Sequence, residues 1–151
     1  MALWDQLKLR TQDMSAQLKT KTGQFKNKEF ANASMALAAL VAAADGTIDA
    51  QERQKVAGFI RSNDVLSVFP QEELQQKFEF YSSKLQSDFE FGKVEAIATL
   101  GKLKSKPDQA RAVIQVGIII GGADGTFDDN EKQVVREACN AVGINPAEFD
   151  L

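Results

Sequence analysis

The sequence predicts an all-α fold of about seven to eight helices in two pseudo-symmetric halves related by an internal repeat. Three observations lead there. Apolar residues recur at helical spacing in most segments, and none reads convincingly as a strand. Only three prolines and ten glycines punctuate 151 residues, too few for many short strands. An acidic segment also recurs: residues 41–52 read V-A-A-A-D-G-T-I-D-A-Q-E, and residues 120–131 read I-G-G-A-D-G-T-F-D-D-N-E, a constant offset of 79 residues. The predicted organisation is one domain over 1–151, with an N-terminal amphipathic helix at 1–22 and repeat halves at about 28–85 and 105–151.

Trp4, Leu7, Met14 and Leu18 fall on one side of a 3.6-residue period and predict the first helix, which Gly23 ends. Residues 28–44 are rich in Ala and Leu and apolar almost all round after Met35, the pattern of a core helix. A turn at 45–47 follows, and Asp49 opens a helix reaching about Arg61. Pro70 reads as the first residue of the next helix, with Leu74, Phe78 and Tyr81 on its inner side. Ser87 is the predicted cap of a helix to about Lys104, with Phe91, Val94, Ile97 and Leu100 as its stripe. Ser105, Lys106, Pro107 and Asp108 supply a capping hydroxyl, a first-turn proline and an acid, and open a core helix to about Gly121. A turn at 124–127 precedes a helix from Asp128 to near Gly143, and Asn145 with Pro146 caps a last short turn.

Composition excludes several chemistries. Hydrophobic residues make up 44% and charged residues 26%, an ordinary globular balance. With no histidine, histidine bases, Ser-His-Asp systems and nearly all zinc sites are excluded. The single Cys139 allows neither an internal disulfide nor a cycling dithiol, and suits a reducing cytoplasm. The apolar runs at 35–44 and 112–123 are shorter than the roughly 20 residues that span a bilayer. Residues 1–10 mix Trp4, Leu7 and Leu9 with Asp5, Lys8 and Arg10, unlike a signal peptide. Net charge is −3 but unevenly spread: residues 1–28 carry six Lys/Arg against two Asp, and residues 120–151 carry two against seven Asp/Glu.

Each repeated turn gathers three carboxylates: Asp45, Asp49 and Glu52, then Asp124, Asp128 and Glu131. Gly46 and Gly125 supply the permissive backbone of a sharp turn. The spacing D-G-x-I/F-D-x-x-E matches the second half of an EF-hand calcium loop, while Val41, Ala43, Ile120 and Gly122 stand where the first half would need oxygen ligands. All-oxygen donors point to a hard divalent cation, Ca2+ before Mg2+ or Mn2+. The same Asp and Glu spacing also fits a capping box, which needs no metal. Capping does not explain Asp45 and Asp124, which follow apolar helices whose C-termini carry partial negative charge.

The paired A-D-G-T-I/F-D-x-x-E turns, the helical pattern and the lysine-rich head together resemble the bacterial tellurite-resistance family TerB, over essentially the whole chain. The resemblance implies an all-helical fold of two similar halves, a role in tellurium resistance and stress, and a metal-binding acidic face. It places the family's acidic positions on Asp45, Asp49, Glu52, Asp124, Asp128 and Glu131. It also implies a membrane-embedded TerC-like partner and other tellurite-resistance proteins. The expected function is a cytoplasmic, non-catalytic protein that binds a divalent ion at the two turns. The alternative is a metal-free adaptor whose acidic face binds a basic partner segment.

Lys19, Lys21, Lys26 and Lys28 could contact anionic lipid at the inner face of the cell membrane, though lysines also suit the end of a helix. Nucleic-acid binding is not expected, because the chain is acidic and its basic stretches lack interleaved aromatics beyond Phe25. Phe78, Phe80, Phe89 and Phe91 are read as core, with a docking groove as the alternative. Cys139 is read as a small buried residue, and Gly117, Gly121 and Gly122 as sites of close helix packing.

Overall fold

The computed structural model of the chain describes residues 28–44, 48, 50–62, 66, 69–122, 128–149 and 151. Among them are six α-helices and one short 3-10 turn, with no strand. They are α1 (Lys28–Ala42), α2 (Ala50–Ser62), α3 (Gln71–Ser87), α4 (Phe89–Gly101), α5 (Pro107–Gly122) and α6 (Asp129–Val142), followed by the 3-10 turn Pro146–Phe149. The helix expected at 1–22 lies outside the described residues.

The all-round apolar run of α1 makes it the axis of the molecule. Every residue from position 33 to 41 is buried, and α1 packs against each of the other five helices. A helix apolar on every side is stable only when neighbours cover every side. The Ser34 hydroxyl is caught in that environment without a hydrogen-bond partner, as is the Ser82 hydroxyl of α3.

α1 and α5 run side by side in the same direction. At one end Lys106, just before α5, pairs with Glu29 in the first turn of α1 at 3.3 Å. Towards the other end Gly117 lies so close to α1 that a Cβ there would sit 2.5 Å from Leu37 Cδ2. Glycine at 117 therefore sets how near the two core helices come, as its sequence context suggested. Because α1 and α5 are parallel, they finish at the same end of the bundle.

α3 and α4 form an antiparallel hairpin around Asp88. The Asp88 amide donates to the Lys84 carbonyl at 3.0 Å, closing α3. Its Oδ1 accepts from the Phe91 amide at 3.2 Å, opening α4. Asp88, not the expected Ser87, is thus the cap. Tyr81 Oη and Thr99 Oγ1 lie 3.0 Å apart, and Lys84 pairs with Glu95 at 2.9 Å across the hairpin.

The stripe expected on α4 is only partly right. Leu100 is buried, but Phe91 and Val94 are 59% and 66% exposed. The buried side is built on Gly92, Ala96 and Leu100. A Cβ on Gly92 would fall 2.8 Å from the Leu85 backbone, so only glycine permits that approach. Small residues let the helices close, and the bulky side chains are left outside. Phe78 is core as expected, whereas Phe80 is 55% exposed. α4 also ends at Gly101 and gives way to a turn over 102–105, short of the expected Lys104.

α6 returns antiparallel to α5. It is sealed by Gly143 in the left-handed conformation (φ 76°), a position that favours glycine. Arg111 near the start of α5 holds Glu148 beyond α6 at 3.1 Å. That hydrogen bond and the charge of Glu148 raise the Arg111 pKa. Asn145 Oδ1 accepts from the Ala147 amide at 2.9 Å, capping the last turn as anticipated. No helix among the described residues is long and apolar enough to cross a membrane.

Candidate functional site

The end of the bundle where α1 and α5 finish is also where α2 and α6 begin, and where the α3–α4 hairpin turns. The described residues of the acidic repeats belong to this end. Asp45, Gly46, Thr47 and Asp49 of the first repeat, and Asp124, Gly125, Thr126 and Phe127 of the second, lie outside the described residues. Glu52, Asp128 and Glu131 are described, together with the apolar Ile48.

In the second repeat the local geometry is a closed capping box. Asp128 has extended backbone (φ −78°, ψ 174°) just before α6. Its Oδ1 accepts from the Glu131 amide at 2.8 Å. Glu131 Oε1 in turn accepts from the Asp128 amide at 3.1 Å. Two N–H groups that an α-helix leaves without an internal partner are thereby satisfied. The carboxylates also sit against the positive end of the α6 dipole, where anions are favoured. A carboxylate has about four lone-pair sites, so one capping bond does not by itself prevent coordination of a cation.

In the first repeat the apolar position is the anchor. Ile48 is buried in the core, and its carbonyl accepts from Gln86 Nε2 at 2.9 Å. Gln86 Oε1 accepts from Arg53 Nη2 at 2.7 Å, and Arg53 also pairs with Glu79. A network from α2 to the end of α3 thus clamps the residue beside the turn. Glu52 lies in the first turn of α2, partly buried, with its Oε2 turned away from solvent.

Among the described residues no three acidic or cysteine side chains come close enough together to hold an ion. Glu52, Asp128 and Glu131 alone do not make a metal centre. A complete site would have to draw on Asp45, Asp49 and Asp124. Neither α1 nor α5 carries a basic residue in its last turn. Each helix therefore delivers the chain to its acidic turn with no cation of its own nearby in sequence.

Sequence reasoning missed three members of this end. Asp88 and Asp129 add negative charge there, and both are exposed. Gln86 binds the first turn to α3. Its role depends on how α2 packs against α3, which no local pattern reveals. Asp88 could have been found, because an aspartate between two helical runs is itself a cap signal.

Cys139 is fully buried in α6, and burial, with a smaller contribution from Glu148, pushes its thiol up to about 12. It is a packing residue, as its place on the apolar side of the helix indicated.

The family model for tellurite resistance protein TerB matches residues 31–151. The chain belongs to the TerB family. A tellurium resistance protein TerB from an Alcaligenes species is 31% identical over 118 residues, which cover 78% of this chain and 97% of the relative. No solved structure matches. The TerB match takes in both acidic repeats, all the described helices except the first turn of α1, and the capping box at Asp128 and Glu131. It begins after the lysine-rich head.

Proposed function

We propose that this TerB-family chain is a non-catalytic tellurite-resistance and stress protein built of two pseudo-symmetric helical halves. Its two acidic turns bind a divalent cation, calcium before magnesium or manganese, through Asp45, Asp49, Glu52, Asp124, Asp128 and Glu131. The bound ion stiffens one end of the bundle, and that end presents an acidic face to a membrane-associated partner. The observation that carries this reading is the parallel packing of α1 and α5. Two parallel core helices support two turns leaving the bundle at one end, about 8–10 Å apart at ordinary helix spacing. Like charges so gathered repel, and a divalent cation offsets the repulsion. The hard oxygen donors suit calcium.

The capping box at Asp128 and Glu131 favours a second reading. There the carboxylates serve the α6 N-terminus, and the acidic end recognises a basic segment of a partner without metal. Both readings keep the protein in the cytoplasm, at most peripheral to the membrane.

Calcium titration followed by amide NMR tests the metal reading. Progressive shifts of the amides flanking both turns, from Ile48 to Glu52 and from Asp128 to Glu131, are expected. Unchanged shifts at millimolar calcium would overturn it. Replacing Asp45 and Asp124 together by Asn separates the two readings. A metal-free adaptor loses its partner and has no calcium response to lose, whereas a metal protein loses the calcium response itself.

A further inference from the structure

The outer face of the α3–α4 hairpin carries an apolar ridge that the core does not use. Along α4 the exposed residues Phe91, Val94, Ala98 and Lys102 recur at spacings of three, four and four, which is one stripe of a helix. Lys102 keeps helical backbone (φ −62°, ψ −21°) and so continues the stripe. Phe91 is 59% and Val94 66% exposed, and on α3 beside them Phe80 is 55% exposed. Tyr81 meets Thr99 and Lys84 meets Glu95 across the hairpin, which sets Phe80 level with Leu100 of α4. Large apolar side chains grouped on one exposed face mark a contact surface.

The ridge is bulky at one end and small at the other. Phe91 and Val94 occupy its N-terminal half, Ala98 and Gly101 its C-terminal half. Charge is divided in the same way. Asp88 and Glu90 are exposed at the start of α4, and Lys102 and Lys104 just after its end. None of these four has an ion-pair partner among the described residues. The remaining charges of this face, Lys84 and Glu95, pair with each other. We propose that the ridge is the interface of a weak two-fold dimer, in which the α4 helices of two copies pack antiparallel with the symmetry axis at the level of Ala96.

In that register shape and charge match together. Val94 faces Ala98 of the second copy, and Phe91 comes level with Gly101 of the second copy, where the small residues leave room. Because Phe80 lies level with Leu100, Phe91 of the second copy also arrives beside Phe80. Glu90 comes level with Lys102 of the second copy and Asp88 with Lys104, so acid meets base at both ends. By symmetry each contact occurs twice. A parallel pairing would instead set Phe91 on Phe91 and Lys102 on Lys102. Area bounds the strength. About half of each phenylalanine's roughly 200 Å² is open, so the four rings of the dimer would remove about 400 Å² from water. With the neighbouring residues the interface would reach about 1,000 Å² in total, at the low end for specific association, and a Kd of about 0.1 mM is expected. This inference does not depend on whether the acidic turns bind metal.

Sedimentation equilibrium of the full chain in chelator tests the proposal. The mass should climb from 16.5 kDa towards twice that value as the chain is raised from about 10 μM to about 1 mM. Val94→Glu puts a charge at the middle of the ridge and should weaken the dimer by more than about tenfold. Position 94 is exposed in the single chain, so the Tm of the dilute variant should be unchanged. Lys102→Glu sets acid against acid at both ends and should weaken the dimer several-fold at low salt. Adding Glu90→Lys to the same chain restores opposite charges and should recover most of that loss. Only antiparallel pairing gives this recovery, because in parallel pairing each residue meets its own copy. A chain that keeps the single-chain mass throughout would overturn the proposal and leave the ridge to a different partner. So would a dimer indifferent to Val94→Glu or to Lys102→Glu, or a double variant as weak as Lys102→Glu alone.

Discussion

Asp128 is the residue where capping and coordination can be separated. Its Oδ1 accepts from the Glu131 amide at 2.8 Å, and the same carboxylate would be a cation ligand in the metal reading. Asparagine keeps an acceptor at the N-cap and ranks with aspartate there, while alanine keeps nothing. Without calcium, Asp128→Ala should destabilise the chain by about 1 kcal/mol, or about 3 °C in Tm for a domain of this size. Asp128→Asn should stay within a few tenths of a kcal/mol of the unsubstituted chain. Calcium then separates the roles. A half-loop of the EF-hand type binds weakly, with a Kd of about 1 mM, so about 10 mM calcium should add about 1.4 kcal/mol, or about 4 °C. If Asp128 is a ligand, Asp128→Asn loses most of that increment. Differential scanning fluorimetry, with and without calcium, reads all of these values in one experiment. A full calcium response in Asp128→Asn would show that Asp128 serves α6 alone. An unchanged Tm in Asp128→Ala would refute the capping argument itself.

Other expectations concern the scaffold. Gly92→Ala should cost about 2–3 kcal/mol, because the new Cβ would meet the Leu85 backbone at 2.8 Å and α3 and α4 would have to part. Gly58→Ala in α2, where the nearest atom is the Arg61 guanidinium at 3.9 Å, should instead stabilise by about 0.5–1 kcal/mol. Urea midpoints of the two variants should move in opposite directions. Ser34→Ala should raise stability by about 1 kcal/mol, since it removes a buried hydroxyl without a partner, and a lower midpoint would contradict that. The Cys139 thiol, raised by burial to about 12 from an ordinary value near 9, should resist thiol reagents in the native chain. The folded state keeps this proton to higher pH than the unfolded state does. The resulting stability is complete below about pH 9 and is lost by about 1.4 kcal/mol per pH unit from there towards 12. Cys139→Ala should flatten that decline.

Much of the fold was legible because α1 and α5 announce themselves. Runs such as residues 33–41, with a single serine among apolar residues, leave no solvent face and can only be core. The start of α6 was equally legible, since a capping box is a local contract between Asp128 and Glu131. The miss on α4 has a physical cause. Stripe reading ranks residues by hydrophobicity, but burial goes to whichever face can approach a neighbour. Gly92, Ala96 and Leu100, spaced four apart, let α4 close on Leu85, and Phe91 and Val94 could not. Ser87 lost to Asp88 because one residue both ends α3 and begins α4, and the carboxylate accepts the Phe91 amide there. At the acidic end, sequence supplied the carboxylates and their spacing. It could not supply the clamp of Ile48 by Gln86, which joins residues 38 apart in the chain.

The acidic residues of the two repeats differ in how their charge is balanced, and that difference yields a test with a change of sign. Asp128 and Glu131 face the positive end of α6, and Glu52 lies in the first turn of α2, so each has a helix N-terminus to offset its charge. Asp45 and Asp124 follow the last residues of α1 and α5 by three and two positions in the sequence, and neither helix has a basic residue in its last turn to offset the partial negative charge of its C-terminus. Unit charges about 10 Å apart repel by roughly 0.4 kcal/mol in bulk water and roughly 1.7 kcal/mol at an effective dielectric of about 20. The core offers little relief by rearrangement, because α1 is buried on all sides and packed against Gly117 of α5. Asp45→Asn and Asp124→Asn should therefore each stabilise the calcium-free chain by roughly 0.5–1 kcal/mol. In the metal reading the order should reverse with calcium, since each variant would then forfeit a ligand and the binding energy that goes with it. The metal-free adaptor predicts the same gain without calcium and no reversal with it. If the neutral variants are no more stable than the unsubstituted chain in chelator, the two aspartates are already balanced within the fold. The electrostatic argument for a counter-cation then fails at its first step.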